Sequence, residues 1–282
     1  TSAAVANASR AVRFNHPNPP AAMLIKRKSI EHAESTPRKA KYAPITLSEV
    51  DGVRYLHFGT EWVQGGMRIR KPDWPELEYS QQMMAWMLFI DAPQAITQLG
   101  LGTGALTKFC YRQFPQAQVT AVELNPGVIA IAHSMFKLPE PDVRLNVCEM
   151  DAWLYVLDGE NHGTLDALQV DLYDAAARGP VLDSAEFYQA CCACLKDTGV
   201  MTVNLFGDHP SFNKNYKAMK FAFGQVLCLP EIHDGNVVAI AFKTRPVIDM
   251  AQLEARAKEI KSQTKLPTAS WIKGLKLALA AN

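Results

Sequence analysis

The sequence predicts an α/β protein, a doubly wound and mostly parallel sheet preceded by a small antiparallel β domain. Three observations carry this. From Ala95 to Glu123 the chain runs apolar strand, glycine turn, helix and strand. Strand-like and helix-like segments then keep alternating to about Phe242. Ahead of them, Asp51-Gly52 joins two short apolar runs, the strongest short-range signal for a hairpin.

The first of these stretches organises the rest. Ile96 and Leu99 belong to an apolar run that breaks into Gly100-Leu101-Gly102-Thr103-Gly104, and a helical pattern with Leu106, Phe109 and Cys110 follows. Glycines let the backbone approach a ligand at a strand's end, and the helix after them offers unpaired N–H groups. The next strand, Val119 to Val122, closes on Glu123, about 20 residues on, where an acid can accept hydrogen bonds from ribose hydroxyls.

Before this unit, residues 1–41 are rich in Ala, Asn, Pro and Ser, with basic residues outnumbering Glu31 and Glu34, and read as a flexible basic arm. The missing initiator Met suggests a trimmed chain, and the arm lacks the long apolar core of a secretory signal. Residues 42–72 form the small β domain: Ile45, Leu47 and Val50 precede the Asp-Gly turn, and Val53, Tyr55 and Leu56 follow it. Residues 73–246 form the nucleoside-binding domain. It opens with Leu77 to Ile90, whose Met, Leu, Trp and Phe content predicts a buried helix.

Beyond Glu123, Asn125-Pro126 starts a helix through Phe136, with proline at its first position. Val143 to Val147 reads as a strand, Asp151 opens a short helix, and Leu165 to Val170 is an apolar strand ending at Asp171. A helix over Ser184 to Leu195, a strand over Gly199 to Leu205 and a helix over Phe212 to Phe223 follow. Val226 to Leu229 and Val237 to Phe242 close the sheet, and Asp234-Gly235-Asn236 between them makes the last strand antiparallel. Residues 247–282 carry two packing helices, Met250 to Ile260 and Ala269 to Ala280.

Composition excludes several classes of function. A formal net charge of +1 gives no overall field that would draw in nucleic acid or an anionic membrane. No apolar stretch approaches the roughly 18 to 20 residues of a membrane helix. The six cysteines are scattered apart from Cys191, Cys192 and Cys194, and they offer no paired metal cluster; reduced thiols in a cytoplasmic protein are the expectation. Cys191 and Cys194 spell CxxC late in a helix, a place for buried small residues rather than redox chemistry. His209, in a loop beside Pro210, is expected to be structural.

In a doubly wound sheet, ligands bind off the carboxyl ends of the strands. That rule puts Gly100 to Gly104, Glu123, Asp151 and Asp171 on one rim. Glu123 suits a ribose, Asp151 an adenine amino group or a plain helix cap, and Asp171 the place where a substrate meets the nucleoside.

Taken together, these residues resemble the polyamine aminopropyltransferases, spermidine synthase and its relatives, over roughly Tyr55 to Lys243. The likeness lies in order as well as motifs: a small β domain, Val63-Gln64 at a strand end, Tyr79, the glycine loop, the VELNP segment around Glu123, Asp151-Ala152, and Leu168-Gln169-Val170-Asp171 with Asp174 and then Gly179-Pro180. The resemblance implies a class I methyltransferase-like (Rossmann-like) fold and a dimeric transferase of polyamine biosynthesis. It implies that Gln64, Glu123, Asp151 and Ala152 hold the nucleoside of decarboxylated S-adenosylmethionine, with no metal. Tyr79, Asp171 and Asp174 would line the amine pocket, Asp171 as base and Tyr173 shaping the wall.

The chain also departs from that family. The loop has Thr103 where the relatives carry Asp, the Tyr-His-Glu segment reads Tyr79-Ser80-Gln81, and DSSDP reads Asp171-Leu172-Tyr173-Asp174-Ala175. A neutral Thr103 does not repel a carboxylate, so full S-adenosylmethionine is admissible, and GLGTG equally resembles the loop of class I methyltransferases. Losing the Glu removes charge that would attract a polycation. Methyl transfer on the same scaffold and a catalytically silent nucleoside-binding protein are therefore the alternatives.

Overall fold

A computed structural model describes residues 42–176, 178–232 and 235–280. The basic arm and Asp234 of the final turn lie outside the described residues.

Three short strands, β1 (Thr46–Val50), β2 (Val53–His57) and β3 (Gly65–Arg68), form an antiparallel sheet in sequence order. Asp51 and Gly52 both take positive φ, 51° and 76°, the twist that a two-residue hairpin needs. A second, seven-stranded sheet follows: β4 (Ala95–Leu99), β5 (Gln118–Glu123), β6 (Leu145–Glu149), β7 (Leu165–Val170), β8 (Leu195–Phe206), β9 (Val226–Cys228) and β10 (Asn236–Phe242), in the order β6-β5-β4-β7-β8-β10-β9. The strands from β4 to β8 pair in parallel, and β10 runs antiparallel to both β8 and β9. The order reverses beside β4, which is the switch point where such sheets open a crevice.

Among the described residues, seven helices flank this sheet: α2 (Ala105–Gln113), α3 (Pro126–Phe136), α4 (Ala152–Leu157), α5 (Ala185–Cys194), α6 (Ser211–Phe223), α7 (Met250–Thr264) and α8 (Thr268–Ala280). Alternate residues of each strand feed separate cores. Ile96, Ala167, Val200, Val238 and Ile240 pack with α2, α7 and α8. Leu168, Val170, Met201, Val203 and Ala239 pack with α4, α5 and α6 on the opposite face. Among the described residues, no helix is long and apolar enough to cross a membrane.

Two elements differ from expectation. Leu77 to Ile90 is not one α-helix but a single turn, α1 (Glu78–Gln82), followed by a 3-10 segment over Met83–Leu88. The Met83 carbonyl accepts hydrogen bonds from Gln169 Nε2 and Thr202 Oγ1, both at 3.1 Å, and these draw the segment onto β7 and β8 at the expense of regular α geometry. The sixth strand begins at Leu145 rather than Val143, because Asp142 Oδ1 accepts the N–H groups of Arg144 and Leu145 and holds 142–144 in a turn. Val143 is left exposed.

Candidate active site

The carboxyl ends of β4, β5, β6, β7 and β8 open into one cavity of about 1030 Å³. On its wall the glycine loop meets the end of β7. The Asp171 N–H donates to the Leu99 carbonyl at 2.9 Å, and the Gly100 N–H donates to the Val122 carbonyl at 2.8 Å. Gly100 has φ +94°, and a Cβ there would collide with the Asp171 backbone oxygen. Glycine is what allows these two strand ends to lie against each other.

The loop residues then separate by role. Gly102, at φ +53°, faces the cavity, where a Cβ would meet only the Gln64 carbonyl oxygen, at 3.6 Å. This is an open cradle for a ligand backed by peptide groups. Thr103 is buried and its methyl group packs under Gly65, so its side chain does not face the main cavity; it walls an annex of about 20 Å³ shared with Tyr79, Ser80 and Asp171. Gly104 lines neither space. It caps α2 at φ +67° and packs against Leu138, which makes its role conformational.

Glu123 ends β5 beside this loop. Its Oε2 accepts the Leu101 N–H at 3.1 Å and its Oε1 the Asn125 N–H at 2.8 Å. Burial pushes its carboxyl pKa upward, and the backbone N–H groups only partly offset that. Asp151 lines the cavity and also caps α4, with Oδ1 accepting the Trp153 N–H at 2.8 Å. The cap and rim readings are thus both true of one side chain, and Ala152 behind it forms wall. Gln64 reaches across the mouth, its Nε2 donating to the Asp174 carbonyl at 3.3 Å.

Asp171 lies deepest among the acids past β7. Burial raises its pKa, while hydrogen bonds from Asn204 and Tyr79 favour the ionised form and pull it back. The Asn204 Nδ2 donates to Asp171 Oδ1 at 2.9 Å, and the Asn236 Nδ2 donates to Asn204 Oδ1 at 2.9 Å. The Tyr79 phenol is driven well up by burial first and then by the Asp171 charge, which keeps it a neutral donor. Tyr173 is raised for the same two reasons, and its hydroxyl donates to the Asn204 carbonyl at 3.0 Å.

Asp174 is different. Its Oδ1 accepts the N–H groups of Ala176 and Arg178 at 2.8 and 3.0 Å, and its Oδ2 takes the Arg178 guanidinium at 2.7 Å. Burial opposes ionisation, but these bonds outweigh it and hold the carboxyl below its ordinary pKa.

Sequence reasoning missed Asn204 and Asn236. An amide inside the apolar run Met201 to Phe206 was a usable signal; Asn236 reads as a turn residue until β10 is paired with β8. His209 stands off the cavity wall, with Nδ1 2.7 Å from the Ser211 hydroxyl at the start of α6. Cys191 and Cys194 are buried, and burial pushes both thiols up, Cys194 to about 11, so neither is a thiolate near neutrality.

No family model matches the chain. Polyamine aminopropyltransferase of Neisseria meningitidis is 32% identical over 243 residues, covering 85% of this chain and 92% of the relative. The enzyme of the same name from Chromobacterium violaceum is 32% identical over 234 residues, covering 82% and 89%. Among solved structures, a probable spermidine synthase from Corynebacterium glutamicum superposes with a TM-score of 0.66 at 18% identity, covering 84% of this chain and 93% of that one. A spermidine synthase bound to the transition-state analogue AdoDATO gives 0.58 at 19%, covering 83% and 88%. Human methyltransferase-like protein 13 with SAH also gives 0.58, at 20%, covering 68% and 94%. These structures establish the class I methyltransferase-like fold. The length and identity of the sequence matches establish more: this chain belongs to the polyamine aminopropyltransferase family and is a transferase.

Proposed function

We propose that the chain transfers an aminopropyl group from decarboxylated S-adenosylmethionine, or a related adenosyl sulfonium, to a small amine, with Asp171 as the base. The observation that carries this reading is the contact of the Gly100 loop with the end of β7, which sets the Asp171 carboxylate on the wall that the loop also lines.

The cavity fits an adenosyl donor. Gly102 leaves its wall open, Glu123 offers carboxylate oxygens where ribose hydroxyls would lie, and Asp151 and Ala152 close the base end. The donor, when bound, supplies a carbon made electrophilic by its sulfonium.

The chain's own residues do the rest. An ordinary primary amine has a pKa of ~10.4 and arrives as an ammonium with no lone pair to attack. Asp171 holds that cation and then takes one of its protons, a transfer helped by the upward pull of burial on the carboxylate's basicity. The freed nitrogen pair forms the new C–N bond as the C–S bond breaks, and its electrons return to sulfur as a neutral thioether. Asn204 and Tyr79 orient the carboxylate, and the cavity aligns the two reactants.

A second reading, methyl transfer from full S-adenosylmethionine, draws on one observation: the annex beside Asp171 is walled by neutral Thr103, Ser80 and Tyr79. Calorimetric titration with both donors and with methylthioadenosine separates the two. The aminopropyl reading expects the decarboxylated donor to bind at least as tightly, thioether release on adding amine, and turnover lowered about 10²- to 10⁴-fold in Asp171→Asn. A preference for the carboxylated donor above about tenfold, roughly 1.4 kcal/mol, would favour methyl transfer instead.

A further inference from the structure

We infer that Gln169 is a positioning residue: through the Met83 carbonyl it seats α1 so that the Tyr79 hydroxyl stays on the Asp171 carboxylate. The inference rests on the reading of Asp171 as the base.

A polar row crosses the middle of the seven-stranded sheet. Gln98 of β4, Gln169 of β7 and Thr202 of β8 pair side by side in register, and all three are fully buried. Two residues back on each strand, and so on the same face, stand Ile96, Ala167 and Val200 of the apolar core. Two residues onward stand Gly100, Asp171 and Asn204 of the site. The row is thus the layer between core and chemistry.

A buried amide is costly unless it is bonded, and here the bonds all run one way. Thr107 Oγ1 donates to Gln98 Oε1 at 3.2 Å, Gln98 Nε2 to Gln169 Oε1 at 3.0 Å, and Gln169 Nε2 to the Met83 carbonyl at 3.1 Å. Thr202 Oγ1 donates to that same carbonyl, also at 3.1 Å. The Met83 N–H in turn donates to the carbonyls of Tyr79 and Gln81. Residue 83 therefore links the sheet to the residue whose hydroxyl bonds Asp171.

The turn that carries Tyr79 needs such an anchor. It has five residues, Leu77 at its start supplies no side-chain cap, and a single helical turn is not stable by itself. Gln81 Nε2 bonds the Pro75 carbonyl at 3.0 Å and Gln82 Nε2 the Pro230 carbonyl at 3.3 Å, which tie the turn to its flanks. The bond from Gln169 ties it to β7, the strand that ends at Asp171. A rotation of the turn would take the phenol off the carboxylate without removing an atom of either.

Among the described residues, the titratable groups facing Asp171 are Tyr79 from α1 and Tyr173 from the segment after β7, both neutral phenols, with the Asn204 amide from β8 beside them. The Asp171 titration midpoint therefore reads the Tyr79 bond. The test follows the Asp171 carboxyl carbon by NMR in isotope-labelled protein, assigned with Asp171→Asn, for wild type, Gln169→Met, Tyr79→Phe and the double variant. Loss of a donor raises a carboxylate's pKa, so the midpoint is expected to rise by about 0.5 pH unit or more in Gln169→Met. It is expected to rise at least as far in Tyr79→Phe, and no further in the double variant than in Tyr79→Phe. In parallel, kcat falls in Gln169→Met while the donor KM stays within about threefold. A midpoint that stays or falls in folded Gln169→Met overturns the inference, as do shifts that add in the double variant, or an unchanged kcat in Gln169→Met beside a lowered one in Tyr79→Phe. Should circular dichroism show that Gln169→Met does not fold, Thr202→Val is judged by the same criteria, since it keeps the side chain's shape and deletes the other bond to the Met83 carbonyl. Should Asp171→Asn turn over like wild type, the base assignment fails by itself and the titration alone decides this inference.

Discussion

Asn204→Leu isolates the electrostatics of the proposed base. The substitution keeps a side chain of similar size on β8 but deletes the amide whose Nδ2 donates to Asp171 Oδ1 at 2.9 Å. A hydrogen bond to a charged group is worth about 1.5–3 kcal/mol, and it favours the ionised carboxylate. At about 1.36 kcal/mol per pH unit, its loss moves the Asp171 pKa upward by roughly 1 to 2 units, on top of the rise that burial already causes. The assay is kcat/KM for the amine from pH 4.5 to 9, with the donor saturating. The amine stays protonated through most of that range, so the acidic limb reports the carboxylate. The midpoint of that limb is expected to shift up by 1 to 2 pH units, with the plateau above it reduced less than tenfold. A limb that stays where it is in the wild type, or moves down, refutes the assignment of Asp171 as the titrating base or of Asn204 as its partner.

How far the sequence alone could lead follows from what kind of interaction sets each feature. The Ala95–Glu123 unit was legible because its signals are local: Gly100, Gly102 and Gly104 all adopt positive φ, and the apolar residues on either side keep strand and helix periods. Asp51-Gly52 was legible for the same reason. The segment after Leu77 was not, since its pitch is decided by Gln169 and Thr202, residues more than 80 positions away that bond the Met83 carbonyl. Thr103 shows another limit. Its neutrality could be read from the loop, but not that its side chain turns under Gly65 and away from the main cavity. Asp174 was legible as a second acid past β7, and it does line the cavity, but not that its loop folds Arg178 back onto it; the Asn236–Asn204–Asp171 chain exists only because β10 pairs with β8.

Two further perturbations test the architecture beneath the site. Gly100→Ala places a methyl group against the Asp171 backbone oxygen at φ +94°, whereas Gly52→Ala meets open space at φ +76°. Denaturant unfolding is expected to show a loss of about 1 kcal/mol for Gly52→Ala, from backbone strain alone, and at least twice that for Gly100→Ala, where overpacking adds to it; equal losses would mean that the two strand ends are not in contact. Lys108, one helical turn past the glycine loop, is fully buried and donates to the Phe136 carbonyl at 2.6 Å. Burial lowers its pKa to about 8, only weakly opposed by Asp73. The unfolded chain, with an ordinary lysine near ~10.4, therefore binds more protons than the native one between those two values, so this group makes stability rise with pH across that window. Below about pH 8 both forms are protonated and the native state carries the whole penalty, on the order of 3 kcal/mol. Lys108→Met removes the penalty and also a hydrogen bond worth about 1 kcal/mol, leaving a net gain of roughly 2 kcal/mol at pH 7 that fades toward pH 10. Unfolding of both proteins at pH 7, 8, 9 and 10 checks this, and a difference between them that does not change with pH would show that Lys108 does not titrate inside the folded chain.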